Sequence, residues 1–223
     1  MALGLIEWGR RDYGQSLEQM RALRAARRAG EIPDTLILVE HDPVITVGVQ
    51  GSDGDQFPAG VPVYHVERGG KSTFHGPGQL VGYPIVDLEP RGRDVRRYVR
   101  DLEEIVIEAV AEFGIRAGRV PGRRGVWVDG ERKIASVGIA VEQWVTLHGF
   151  ALNVRTDLAT FRKFRPCGFD GRVMTSIAQE RGRTYELAQV HLPVIRAWER
   201  VFGGPIQETA TVPPAAATAS PTS

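Results

Sequence analysis

Residues 125–154, GVWVDGERKIASVGIAVEQWVTLHGFALNV, decide the fold. Within them 125–128, 133–141 and 146–154 alternate apolar and polar or small residues with a period of two, the signature of strands with one buried face. Asp129-Gly130 between the first two runs is the side-chain chemistry that a two-residue hairpin turn requires. The three runs therefore predict an antiparallel meander. Working outward, 35–40 and 44–48 read as a strand pair broken at Asp42-Pro43, and 61–67 and 80–88 read as further strands. Residues 12–30 read as a helix capped by Asp12, with Leu17, Met20 and Leu23 at helical spacing and Gly30 ending it. The clearest helix spans 94–113, where Val95, Tyr98, Val99, Leu102, Ile105, Val106, Ala109, Val110 and Phe113 make one apolar stripe that Gly114 terminates. A last helix is expected at 184–202, capped by Thr184. Strands mixed with helices, and mainly antiparallel signals, predict an α+β domain on one curved sheet flanked by helices. That domain is expected to occupy 1–204, and 205–223, rich in Pro, Ala, Ser and Thr, reads as a disordered tail.

Composition narrows the function. The chain has 223 residues with a formal net charge of +1, which argues against a dedicated nucleic-acid binder. No stretch approaches the ~20 apolar residues of a membrane span, and the first ten residues lack the zones of a secretory signal, so a cytoplasmic location is expected. Cys167 is the only cysteine, which excludes an internal disulfide and cysteine-based metal cages. No histidine pair has zinc-site spacing, so no metal is expected. Basic charge is nearly all arginine, in two local clusters: Arg21, Arg24, Arg27 and Arg28, then Arg91, Arg93, Arg96, Arg97 and Arg100. They are either solvated helix faces or a docking surface for an acidic partner.

Three segments carry more Gly, His and Pro than a core needs: 68–79, 133–138 and 165–168. Gly70-Lys71-Ser72-Thr73 resembles the end of a phosphate-binding P-loop, but His65 stands where its first glycine belongs and Pro77 follows where a helix should open. Cys167 is either a small buried hydrophobe or, between Pro166 and Gly168, a nucleophile presented by a turn. Lys133 lies inside a predicted strand among Ile134, Ala135 and Val137; it is either an edge-strand charge or an amine aimed into a site. His75 and His148 admit both a structural and a site reading, and His41, before Asp42-Pro43, reads as a turn histidine, with lining of the same pocket as the alternative.

These blocks, taken in order, resemble the lipoyl/octanoyl transferases, relatives of the lipoate-protein and biotin-protein ligases. The likeness covers residues 3–203 through Arg68-Gly69-Gly70 with His75-Gly76-Pro77-Gly78-Gln79, Gly125-Val126-Trp127 with Lys133-Ile134, the block from Leu147 to Asn153, and Pro166-Cys167-Gly168 with Met174-Thr175-Ser176. The resemblance implies a ligase-like fold, no cofactor, and transfer of an octanoyl group from acyl carrier protein to a lysine of lipoyl domains, those of 2-oxoacid dehydrogenases and of the glycine cleavage H protein. It makes Cys167 the acyl-thioester nucleophile and Lys133 its acid and base. It places Arg68, Gly69, Gly70, Lys71, Ser72, Thr73, Phe74, His75, Ser136, Val137, Gly138, Gly149, Phe150 and Ala151 around the acyl chain, in a monomer. Lys71 and Phe74 stand where the family often has glutamine and tyrosine. The rival readings are an ATP-dependent lipoate ligase on the same fold, a non-catalytic acyl-binding or carrier-docking protein, and a cysteine thioesterase.

Overall fold

The computed structural model describes residues 2–51, 57–164 and 169–208. The predicted meander forms as β8 (Arg123–Val128), β9 (Arg132–Glu142) and β10 (Val145–Asn153), joined antiparallel. Asp129 and Gly130 both take positive φ, 50° and 73°, as the hairpin turn demands. The meander is the heart of an eight-stranded sheet of order β11-β1-β2-β6-β10-β9-β8-β7. Its other members are β1 (Leu3–Arg11), β2 (Asp34–His41), β6 (Gln79–Ile85), β7 (Ala117–Val120) and β11 (Ile206–Glu208). Within this sheet the described strands pair in parallel only at β1, with β2 and with β11.

Two expectations change here. The sheet is not alone: β3 (Val44–Val47) lies between β4 (Val63–His65) and β5 (Ser72–His75) in a second, three-stranded sheet. The runs at 35–40 and 44–48 therefore do not pair with each other. Asp42-Pro43 lacks the positive-φ chemistry of a tight hairpin, and the chain changes sheets there instead of folding back. The expected tail also starts too early, because Ile206–Glu208 pairs with Leu3–Leu5; the remainder of the tail, 209–223, lies outside the described residues.

Helix α1 (Tyr13–Arg28) is capped by Asp12, whose Oδ1 accepts from the Gln15 N–H at 3.0 Å. Asp94 caps α2 (Val95–Ala111) in the same way, accepting from Arg97 N–H at 2.9 Å. The α2 stripe is buried at Tyr98, Leu102, Ile105, Val106, Ala109 and Val110, but Val95, in the first turn, is exposed. A short α3 (Ile177–Arg181) precedes α4 (Ala188–Phe202). Thr184 does not cap α4. No side chain caps its first turn; Gln189 reaches back instead, its Oε1 accepting from the Glu186 N–H just ahead of the helix at 2.9 Å.

The sheet separates two cores. On one face α2 and α4 bury Leu102, Ile105, Trp198 and Phe202 against Leu36, Leu80, Val126 and Leu152. On the other, α1 buries Tyr13, Leu17 and Met20 against Ile37, Val81, Tyr83 and Leu147. The small sheet adds a third cluster of Ile45, Val47, Phe74 and Phe161. Among the described residues no helix is long and apolar enough to cross a membrane.

The first arginine cluster, with Arg91 of the second, is committed to this framework, whereas Arg93, Arg96, Arg97 and Arg100 are exposed. Arg21 pairs with Glu67, Arg24 with Glu142, Arg27 and Arg91 with the buried Asp34, and Arg28 with the Gln143 side chain. Asp34 also accepts from the Asp87 N–H at 3.0 Å, so the carboxylate ties α1, the end of β6 and residue 91 together.

At the centre of the sheet, β6 and β10 approach where two glycines stand. A Cβ on Gly149 would lie 2.2 Å from the Gly82 carbonyl oxygen and 2.6 Å from Pro84 Cδ. The obstacle is a neighbouring strand, which cannot swing aside as a side-chain tip does. Gly149→Ala is expected to cost about 3 kcal/mol of stability through overpacking. Chemical denaturation checks this; an unchanged midpoint would mean that the strands separate freely.

Candidate active site

The site is built on the α1 face of the large sheet, where the small sheet closes over it. Strand β5 presents alternate side chains to opposite sides, as strand geometry requires. Thr73 and His75 line the cavity, whereas Phe74 packs into the small-sheet core. Ser72 is buried but does not line the cavity either. Two of the residues expected around the acyl chain, Ser72 and Phe74, thus stand on the side of the strand away from this cavity, by its period of two.

Arg68, Gly69, Gly70 and Lys71 form the turn that leads into β5. Arg68 is buried and works inward: Nη1 donates to the carbonyls of Gly69 (3.1 Å) and Lys71 (2.8 Å), and Nη2 donates to the Thr46 carbonyl (2.7 Å) and Oγ1 (2.8 Å). The guanidinium is a template on which the turn is wound. Gly70 needs its positive φ of 88° to complete it. The Gly69 N–H then docks on the Ile139 carbonyl at 2.8 Å, which brings the turn against β9.

Strand β9 supplies Lys133, Ser136, Val137 and Gly138. In an unbroken strand Lys133 and Ser136 would point to opposite faces. The register between β8 and β9 shifts, however: Trp127 pairs with Lys133 but Val126 pairs with Ala135, leaving Ile134 as an extra residue. This β-bulge turns Lys133 onto the cavity face, a recurrent use of bulges beside active sites. The lysine is buried at 2% exposure. Its Nζ lies 5.6 Å from the ring centre of Trp127 and 5.5 Å from that of Phe169, so aromatic faces rather than water surround the amine. Gly125 makes room for it: φ is 101°, and a Cβ would stand 2.8 Å from Lys133 Cε and 2.3 Å from the Ala135 carbonyl oxygen.

Beneath the cavity lies a row of neutral rings. His41 Nδ1 donates to the Arg11 carbonyl (3.2 Å), and its Nε2 accepts from Tyr83 Oη (2.8 Å). His75 Nδ1 donates to Gln79 Oε1 (2.8 Å), and its ring stacks on Tyr13 at 6.2 Å with a 6° interplanar angle. Burial pushes His41 down to about 4 and His75 to about 3, and raises the phenols of Tyr13 and Tyr83 well above their ordinary value. His148 enters from β10 with a φ of 61°. It is buried, and its Nε2 stands 3.6 Å from Glu67 Oε2, beyond hydrogen-bond length.

The cavity has a volume of about 270 Å³. Of the expected residues it gathers Arg68, Gly69, Gly70, Lys71, Thr73, His75, Lys133, Ser136, Val137, Gly138, Gly149, Phe150 and Ala151. Cys167 lies outside the described residues. His41 stands behind Tyr83 and does not line the cavity. Residues that the sequence reading passed over are Tyr13, Gln50, Val81, Tyr83, Gly122, Arg124 and Phe169. Tyr13 and Tyr83 were hidden inside apolar patterns that fit a helix and a strand equally well. Among the described residues no group of three or more His, Cys, Asp or Glu side chains is placed to hold a metal ion.

An eight-stranded mixed sheet, helices on both faces and a cavity between a glycine-rich turn and a strand lysine define a protein of the lipoate/biotin-protein ligase-like fold. A lipoate-protein ligase A solved with ATP bound shares it, with a TM-score of 0.75 over 95% of this chain and 89% of that one, at 17% identity. The chain belongs to the lipoyl protein ligase A/B catalytic domain family, whose profile matches residues 12–199. It is 48% identical over 186 residues to an octanoyltransferase of Geobacter metallireducens, covering 83% of this chain and 87% of the relative. It is 46% identical over 202 residues to an octanoyltransferase of Rubrobacter xylanophilus, covering 86% and 90%.

Proposed function

We infer that this chain is an octanoyltransferase of protein lipoylation, acting in the cytoplasm as a monomer. It moves an octanoyl group from acyl carrier protein, through a thioester on Cys167, to a lysine of a lipoyl domain. The carrying observation is Lys133: a buried amine that a β-bulge aims into a cavity shared with the glycine-rich turn, in a chain whose relatives are octanoyltransferases. Phe169, two positions after Cys167 in the sequence, lines the same cavity against Trp127.

The donor thioester is already activated, so the chemistry needs a nucleophile, a proton carrier and oriented dipoles. Cys167 Sγ attacks the octanoyl carbonyl carbon, the bond from that carbon to the carrier sulfur breaks, and the carrier thiol leaves with the proton. Lys133 stabilises the thiolate before attack and governs the proton it exchanges. The acceptor lysine then attacks the enzyme thioester and Cys167 is released as the thiol. Val81, Val137, Phe150 and Ala151 offer apolar wall to the chain, at about 0.8 kcal/mol for each methylene buried.

The decisive assay mixes the protein with octanoyl carrier protein and a lipoyl domain, without ATP or magnesium. Octanoylated lipoyl domain is expected at a rate that added ATP leaves unchanged. An absolute ATP requirement would transfer the chain to the ligases, and octanoate without octanoylated domain would make it a thioesterase.

A further inference from the structure

We propose that His148, oriented by Glu67, accepts the proton that the acceptor amine must lose. The proposal rests on the transfer reading above and concerns only its second half.

The proton balance of the two halves differs. In the first, the thiol proton of Cys167 ends on the carrier thiol and none is released. In the second, the acceptor lysine arrives as an ammonium with three protons. One stays on the amide nitrogen, one goes to Cys167 Sγ, and one must leave a cavity whose walls are buried. A group able to take that proton is needed at the second step alone.

His148 has the required placement. Its ring lines the cavity and is 2% exposed; its buried Nε2, without a hydrogen bond among the described residues, is the nitrogen turned toward Glu67, which leaves Nδ1 to take the amine's proton. Glu67 stands 3.6 Å away and is itself clamped by Arg21, through Nε at 3.2 Å and Nη2 at 3.1 Å. The Glu67 side chain is 33% exposed, so the carboxylate beside the buried ring is itself in reach of solvent. Contacts between a base and its orienting group often tighten only in the reacting complex. The backbone of His148 is held in the left-handed region, which a non-glycine residue adopts only where its surroundings enforce it.

The charges facing His148 agree with this role. Burial lowers its affinity for a proton, Glu67 raises it, and Arg68 and Arg21 lower it. His75 and the edge-on ring of Tyr83 complete its surroundings, both uncharged. Glu67 is held well below the carboxylate range, by His148 first. It therefore stays ionised and steadies the imidazolium without taking the proton, the part a carboxylate plays beside a catalytic histidine. Glu67 is a positioning residue and His148 the base.

The test separates the half-reactions on the full chain. Acyl-enzyme formation is followed by mass spectrometry with octanoyl-pantetheine as donor; discharge of isolated acyl-enzyme to a lipoyl domain is followed as a single turnover across pH. His148→Asn is chosen because asparagine tolerates positive φ. This variant is expected to acylate like the unmodified protein and to discharge about 10²-fold more slowly at neutral pH, the deficit shrinking toward the ~10.4 of a free lysine. Glu67→Gln should discharge less slowly than His148→Asn, with its acidic limb moved to lower pH. Undiminished discharge in His148→Asn, or an equal fall in both halves, overturns the proposal and leaves the transfer reading standing. Failure of the unmodified protein to form any acyl-enzyme overturns the transfer reading and the proposal with it.

Discussion

Lys133→Met is expected to lower octanoyl transfer by 10²-fold or more while leaving the protein at least as stable as before. The two halves of this expectation have one cause. Lys133 is 2% exposed among Trp127, Phe169 and the Gly125 backbone. An ammonium in such a place pays a desolvation cost that methionine, of similar length and apolar, does not. A residue kept for structure would lose stability on replacement; one kept for chemistry loses rate alone. Lys163→Ala, on an exposed turn, is the control and should change neither. If the Lys133 cation holds Cys167 as thiolate, the acidic limb of the pH–rate profile should also move upward in the variant. Equal rates for the Lys133 and Lys163 variants would return Lys133 to the role of an ordinary strand charge.

How much of this was legible beforehand depended on whether the signal was local. The α2 stripe and the Asp129-Gly130 hairpin were readable because period and turn chemistry act within a few residues. Strand β1 was not, since Glu7, Gly9 and Arg10 interrupt its apolar residues and the chain bulges between Glu7 and Gly9 where it pairs with β2. Strand β5 was masked by its own composition: Ser72 to His75 reads as a loop beside so many glycines, yet it is pinned antiparallel to β3. The site shows the same division. The blocks around residues 70, 136 and 149 could be named as one pocket, but the face that Lys133 occupies could not. It depends on Ile134 being the extra residue between two strands, a property of the pair and not of either strand. Arg68 looks in sequence like a ligand-binding cation. Its contacts with Thr46, Gly69 and Lys71 show it also to be the template of the glycine turn. The arginines of α1, which suggested a docking face, are paired with carboxylates or an amide that only the fold brings near.

The rings beneath the cavity lead to the second large effect: stability should fall as the medium is acidified, well before the carboxylates titrate. His41 donates through Nδ1 to the Arg11 carbonyl and accepts at Nε2 from Tyr83. His75 donates through Nδ1 to Gln79, whose own amide donates to the Phe74 carbonyl and to Asn153 Oδ1. The Nε2 of His75 faces Thr46 Oγ1, already an acceptor from Arg68, so the hydroxyl proton is turned toward the ring. Each imidazole thus has one donor role and one acceptor role, and a second ring proton would meet a hydroxyl hydrogen. With both rings buried, their folded values fall to about 4 and about 3 against the ordinary 6.5. The unfolded chain takes up these protons as pH drops through 6.5 and the folded chain does not, so folding loses free energy across that window. Both contributions are fully present above 6.5 and are lost progressively as pH falls toward 4, each at about 1.4 kcal/mol per pH unit. Denaturant midpoints measured at successive pH values between 7 and 4.5 should follow this slope. His41→Gln, which removes one titrating ring, should be less stable at pH 7 yet show a flatter decline. A decline as steep in the variant as in the parent would mean that the slope arises elsewhere and that His41 carries its proton in the folded state.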